Sequence, residues 1–233
     1  MFAPYKYIKG SPARNLHKTK TKNIVALASI AFGVTIFCYE IIRPYAKSAI
    51  ISYGNRPLFV PVLGAKTGYQ ANFSFSELNF KNTDVKIDKN LPEYFYLTIP
   101  KLDIYNARVK INDTNPSLDK SLGHYYGTSL PGESKNTFIY GHSTFEEYFD
   151  PENYQTIFST LYRLSPGDIF YANYKGKEYK YLITMKKTVD PADVNPYENF
   201  YKNTPNSSTV TLMTCTPPGR KDYRLIVVGS LIE

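Results

Sequence analysis

The chain has 233 residues, enough for one ordinary domain with appendages, and carries 28 Lys and Arg against 20 Asp and Glu, a formal charge of +8. A basic balance alone would suit nucleic acid or anionic lipid, but its distribution argues against nucleic acid. Six basic residues (Lys6, Lys9, Arg14, Lys18, Lys20 and Lys22) precede the first long apolar run with no acid among them, as in a flank retained on the cytoplasmic side during insertion.

That run occupies residues 23–42, about the 20 mostly apolar residues needed to cross a bilayer. Glu40 falls near its outer end, within reach of headgroups. The expected organisation is a basic cytoplasmic tail (1–22), a single-pass signal-anchor (23–42), an extracytoplasmic spacer (43–90) and an outer domain (91–233). A cleaved signal peptide is the competing reading, since Ala46-Lys47-Ser48 offers small residues at suitable spacing, but the apolar core exceeds the usual length of such segments. The spacer is broken by Gly54, Pro57, Pro61, Gly64 and Gly68.

From Leu91 onward, short β-branched and aromatic runs alternate with turns. Strands are expected over 94–100, 105–111, 136–142, 168–174, 178–189, 209–215 and 224–231, with Gly123-His124-Tyr125-Tyr126 a further candidate. One helix is expected from Asp150, with Pro151 in its first turn and Ile157, Phe158, Leu161 and Tyr162 on one face. The fold class is therefore mainly β: a closed barrel of about eight short strands with one or two short helices, following the N-terminal transmembrane helix.

The two cysteines are Cys38, inside the span, and Cys215. They cannot form a disulfide across that divide, and an unpaired thiol in an exported domain is a candidate nucleophile. A packed, inert thiol is the competing reading. The same arithmetic weakens zinc, because His17 and Cys38 are removed from the outer domain and too few ligands remain.

Cys215 ends a strand just before the turn Thr216-Pro217-Pro218-Gly219, so its thiol is rigidly held beside a loop. Arg224 opens the next strand nine positions later, and antiparallel pairing would return it to Cys215. A guanidinium there can favour a thiolate or stabilise an oxyanion but cannot act as a base. Arg220 competes on proximity, but sits at the loop tip with Lys221 and Asp222. His142 ends its strand after Gly141 and has the side chain suited to proton transfer near neutral pH, with His124 its rival.

The stretch Thr211-Leu212-Met213-Thr214-Cys215, followed by Arg224, resembles the sortase signature of Thr-Leu-x-Thr-Cys and a downstream Arg. Phe138-Ile139-Tyr140-Gly141-His142-Ser143 resembles the segment carrying the sortase histidine. Thr98-Ile99-Pro100-Lys101-Leu102-Asp103-Ile104, Leu122-Gly123-His124 and Leu130-Pro131-Gly132 fall in sortase order, so the resemblance covers nearly all of 91–233.

That resemblance implies a cysteine transpeptidase. Cys215 would attack the Thr–Gly carbonyl of an LPXTG-like sorting signal, His142 would serve as acid and then base, and Arg224 would support the oxyanion. Thr214 would orient the scissile residue, and the loop holding Val194 and Pro196 would shape sorting-signal choice. The partners implied are surface proteins bearing such signals and an amine acceptor, either a cell-wall precursor or a pilin lysine.

The run through Cys215-Thr216-Pro217 resembles the pilin-polymerising class. Against that class, no second apolar span follows the domain, Asp150-Pro151 is followed by Glu152 rather than an aromatic lid residue, and Pro218 stands where many relatives carry an aromatic. Some members bind calcium, but the sequence offers no acidic cluster to support it, and no cofactor is expected. A cysteine hydrolase shares the acyl-enzyme step and differs only in its acceptor. A catalytically silent binding module is opposed by the presence of all three polar residues, and an L,D-transpeptidase by the lack of a Ser-His-Gly-Cys context.

Overall fold

The computed structural model describes residues 16–54, 91–113, 118–200 and 207–233. The chain divides into two units, Met1–Arg43 and Pro44–Glu233. Most of the expected spacer, residues 55–90, lies outside the described residues.

Helix α1 spans Leu16–Gly54. Within it Ile24–Lys47 is long and apolar enough to cross a membrane, about 36 Å at 1.5 Å per residue. Its apolar side chains, Ile24, Leu27, Phe32 and Phe37 among them, are exposed. The hydroxyls of Ser29 and Thr35 donate to the carbonyls of Val25 and Ala31 one turn back (2.9 and 2.8 Å), so the exposed face of the helix carries little unsatisfied side-chain polarity there. The helix runs past the expected end at Ile42. Pro44 lies inside it, and the good helix formers that follow carry it to Gly54.

The outer unit is a closed eight-stranded barrel. Its strands are β1 (Tyr94–Ile99), β2 (Ile104–Asp113), β3 (Leu122–Tyr125), β4 (Lys135–Tyr140), β5 (Ile169–Tyr174), β6 (Lys177–Val189), β7 (Ser208–Thr216) and β8 (Tyr223–Leu231). The order around the barrel is β1-β2-β3-β4-β7-β8-β6-β5, with β5 returning to β1. Pairings are antiparallel except β2 with β3 and β4 with β7. All eight expected strands form, with ends shifted by one or two residues.

Leu97, Ile99, Phe170, Ala172, Ile183, Val210, Leu212, Leu225 and Val227 fill the barrel interior. A second cluster lies on the outer face of β4, β7 and β8, where Phe138, Tyr140, Met213, Cys215, Ile226 and Val228 pack together. Val189, Val194 and Phe200 cover it. Burial on both faces explains why β7 reads as apolar and Thr residues without polar alternation.

The expected helix from Asp150 does not form. Asp150 Oδ1 accepts from the Glu152 N–H (2.9 Å) and Asn153 Oδ1 from the Gln155 N–H (3.0 Å), two Asx turns that compete with a helical ladder. The backbone instead makes i→i+3 bonds at Asn153, Thr156 and Ser159, and ends in a 3-10 turn, Leu161–Arg163. Ile157, Phe158 and Leu161 still enter the core. The apolar spacing was thus a correct guide to burial, while the element type was decided by side-chain acceptors.

Candidate active site

Alternation along three neighbouring strands carries the candidate residues to one place. In β7, Val210 and Leu212 face the interior, and Met213 and Cys215 the outer cluster. In β8, Leu225 and Val227 face inward while Ile226 and Val228 face outward, which sets Arg224 on the outward side. In β4, Ile139 faces inward, with Phe138 and Tyr140 outward; continuing that alternation puts His142 on the outer face.

Register then fixes distance along the strands. Cys215 lies directly opposite Arg224 across the antiparallel β7–β8 pair, as the nine-residue spacing predicts. The parallel β4–β7 ladder ends at Tyr140 opposite Met213, and the Gly141 N–H adds one more bond to Met213 O (3.1 Å). Two residues further along each strand this register reaches His142 and Cys215. Gly141 is required by packing, since a Cβ there would lie 2.5 Å from Leu122 and 2.8 Å from Phe158. Gly219, at φ +79, closes the turn after Cys215 beneath the Phe145 ring, 2.5 Å from where a Cβ would stand.

Burial and charge act in opposition on the pair. Burial pushes the Cys215 thiol above its ordinary value, while Arg224 and Lys221 pull it down. Burial pushes the His142 imidazole down, Asp119 opposes that, and Lys221 adds to it. Thiol and imidazole are therefore both predominantly neutral near pH 7. Arg224 is fully buried, and its Nη1 donates to the carbonyls of Lys221 (3.1 Å) and Tyr223 (3.0 Å). Arg220 instead pairs with Asp222 at the loop surface.

His124, the rival histidine, is fully buried away from these residues in the hydrogen-bond network of β3. Its Nδ1 accepts from the Asn112 N–H (3.1 Å) and its Nε2 donates to Ser129 O (3.0 Å). Burial lowers its pKa to about 4, with the Ser129 bond opposing. Because the unfolded value is 6.5, the unfolded chain binds the proton more readily between those limits. The stabilisation from neutral His124 is complete above pH 6.5 and is lost as pH falls toward 4, about 3 kcal/mol in all. Histidine-resolved NMR should show a ring that does not titrate above roughly pH 5; a His124 midpoint near 6.5 would refute this assignment.

The three remaining candidates occupy different positions. Thr214 is buried, and its hydroxyl donates to Gly141 O (2.8 Å), away from the outer face. Val194 lines a shallow depression on the outer face, with Phe138, Val189, Phe200 and Ile226 as apolar walls and Asp193, Asn195 and Thr211 among its polar ones. Lys187 and Glu198 stand at its edge, paired at 3.1 Å. Pro196 is buried, and its carbonyl accepts from Asn136 Nδ2 (3.0 Å), while Asn136 Oδ1 accepts from Thr209 and Thr211 (3.1 and 2.9 Å). The Tyr197 hydroxyl adds a bond to Tyr126 O (2.9 Å), so the covering segment is tied down at two points.

Residues 97–232 match the sortase domain family. The chain belongs to the sortase family. Sortase SrtE1 of Streptomyces coelicolor is 28% identical to this sortase over 149 residues, covering 59% of this chain and 40% of SrtE1. The match thus spans about two fifths of that curated relative's length. A lid mutant of sortase A from Corynebacterium diphtheriae is 26% identical with a TM-score of 0.51, covering 61% of this chain and 71% of that one. Sortase C-1 from Actinomyces oris is 26% identical with a TM-score of 0.52, covering 62% and 76%. Near-equal identity to proteins named as sortases A, C and E places this chain in the family without tying it to one class.

Sequence reasoning missed Asn136 and the Lys187–Glu198 pair of this sortase. Asn136 sits between Lys135 and Thr137 at the polar start of β4, which gives no local signal, and its partners Thr209 and Thr211 lie about 75 positions away. Asn136→Ala should destabilise the domain by about 2–3 kcal/mol, since two hydroxyls and a buried carbonyl lose their partner. Chemical denaturation measures this, and parental stability in the variant would show that the covering segment is not anchored at Asn136.

Proposed function

We propose that this sortase is a cysteine transpeptidase in which Cys215 is the nucleophile, His142 the proton shuttle and Arg224 the oxyanion support. The observation that carries the reading is the direct opposition of Cys215 and Arg224, with the His142 segment bonded alongside. In the first step Cys215 Sγ bonds to the carbonyl carbon of Thr in an LPXTG-like signal, and the thiol proton passes to His142. Arg224 stabilises the resulting oxyanion. Collapse breaks the Thr–Gly bond, and His142 protonates the departing amine. An incoming amine then attacks the thioester, His142 takes its proton, and the thiol is restored.

The apolar residues beside Val194 (Phe138, Val189, Phe200 and Ile226) would contact the apolar part of the signal, with the Pro196-bearing segment alongside. Thr214 contributes by holding the strand ends. Burial of Cys215 disfavours water as the acceptor and supports amine transfer to a cell-wall precursor or pilin lysine over hydrolysis. The apolar helix would anchor the sortase in the membrane, basic tail inside and barrel outside.

Mass spectrometry of the detergent-solubilised full chain with an LPXTG-type peptide tests this. A thioester on Cys215 that resolves to a new amide when an amine is added is the expected result. If a reduced, folded protein gives no adduct across a panel of sorting-signal peptides, the reading is wrong.

A further inference from the structure

Beyond Gly141 the parallel β4–β7 ladder has no further backbone rung, yet this is where His142 and Cys215 must be held in fixed relation. A regular parallel ladder would continue from the Cys215 N–H to Gly141 O, an oxygen that accepts from the Thr214 hydroxyl (2.8 Å), and then from the Ser143 N–H to the carbonyl of Cys215. In its place the Ser143 hydroxyl donates to that carbonyl, at 2.7 Å. We propose that Ser143 is a positioning residue for the reaction, and that its hydroxyl sets the spacing between the His142 imidazole and the Cys215 thiol by tethering the Cys215 carbonyl.

Three features of the site support this role. First, the bond joins the residue after His142 to the residue bearing the thiol, so it is the shortest path of constraint between the two side chains. Fixing the Cys215 carbonyl fixes its peptide plane, and with it the direction of the Cα–Cβ bond that aims the sulfur. Second, the rest of the 141–144 segment is already held on its other side. The Phe158 N–H donates to His142 O (3.1 Å), and the Thr144 N–H donates to Ser159 Oγ (2.8 Å). Those bonds fix the segment to the 156–159 turns, whereas Ser143 and Thr214 connect it by side chain to the end of β7. Third, the β7–β8 pairing holds Cys215 from one side and runs on to Thr216 opposite Tyr223, whereas the β4–β7 pairing stops at Tyr140 opposite Met213, so on the His142 side the end of β7 depends on side-chain bonds.

The inference rests on the transpeptidase reading, but it can be tested without a sorting-signal peptide. The direct probe is alkylation of Cys215 by iodoacetamide across pH, followed by site-resolved mass spectrometry. A neutral thiol aligned with a neutral imidazole reacts at neutral pH by sharing its proton, and a thiol out of register does not. Ser143→Ala should slow alkylation at pH 7 by about tenfold, and move the profile toward that of an isolated thiol, because a small misplacement of paired groups is costly. In peptide transfer the same variant should lose about tenfold in kcat with KM within about twofold, because ground-state binding to the outer-face depression is untouched.

Ser143→Thr keeps the hydroxyl and should restore both readouts. Ser143→Val has the shape of Thr without the hydroxyl, and should behave like Ser143→Ala. The Thr and Val variants therefore isolate the hydrogen bond even if Ser143→Ala were to fold poorly. Alkylation profiles of the Val and Ala variants that match the parent would overturn the proposal, whatever their thermal stability. So would a Thr variant as impaired as Val. If the profiles shift as expected while no sorting-signal peptide is turned over, the positioning role stands and the transpeptidase reading is the one that fails.

Discussion

Cys215→Ala should leave no detectable peptide transfer, a loss of at least about 10⁴-fold, because no other group at the site can form the acyl-enzyme. Cys38 cannot substitute: it lies within the apolar stretch Ile24–Lys47 of α1. Cys215 is 6% exposed and packs in the outer cluster with Met213 and Ile226, so removing the sulfur costs only about 1 kcal/mol of packing. The variant should therefore fold, bind a sorting-signal peptide and fail to acquire its mass. Separating binding from turnover this way requires both calorimetry and mass spectrometry. A variant that still yields the new amide would remove Cys215 from the mechanism and the family's chemistry from this chain.

The parts of the fold that could be read in the sequence were those set by local pattern. Strand composition and turn residues located all eight strands, because each must bury at least one face of the barrel. The Cys215–Arg224 pairing was legible for a similar reason: a tight turn between two strands leaves few registers, and nine residues of separation set this one. The failures came from long-range or competing interactions. At residues 150–162 the apolar spacing suits a helix, but Asp150 and Asn153 capture nearby N–H groups before a helix can propagate. Nothing local shows that His124 is buried and paired with Ser129 and Asn112 while His142 is only half-buried, so the sequence could rank the two histidines but not separate them. The parallel β4–β7 pairing joins segments more than 70 positions apart, and Asn136 and Ser143 acquire their roles only through it. The outer-face depression is likewise built by the segment after β6 folding back over strands distant in sequence.

Arg224→Lys should lower kcat/KM by about 10²–10³ while leaving the Cys215 alkylation profile close to that of the parent, which separates charge from geometry. The Arg224 charge draws the thiol down against burial, and a lysine ammonium supplies that charge. It does not supply the planar fork. Arg224 Nη1 is engaged by the carbonyls of Lys221 and Tyr223, which orients the guanidinium from the turn side and leaves the plane fixed relative to Cys215. A single rotatable ammonium must choose between those carbonyls and an oxyanion. Arg224→Met should lose both properties: activity falls at least as far, and the thiol's alkylation midpoint moves to higher pH because burial is no longer opposed from β8. Stability should fall as well, by about 1–3 kcal/mol, since the carbonyls of Lys221 and Tyr223 lose their donor, so activity and alkylation are to be read on protein shown to be folded. Full activity in Arg224→Lys would reduce the role of Arg224 to that of a local positive charge. An unchanged alkylation midpoint in Arg224→Met would show that its charge does not reach the thiol at all.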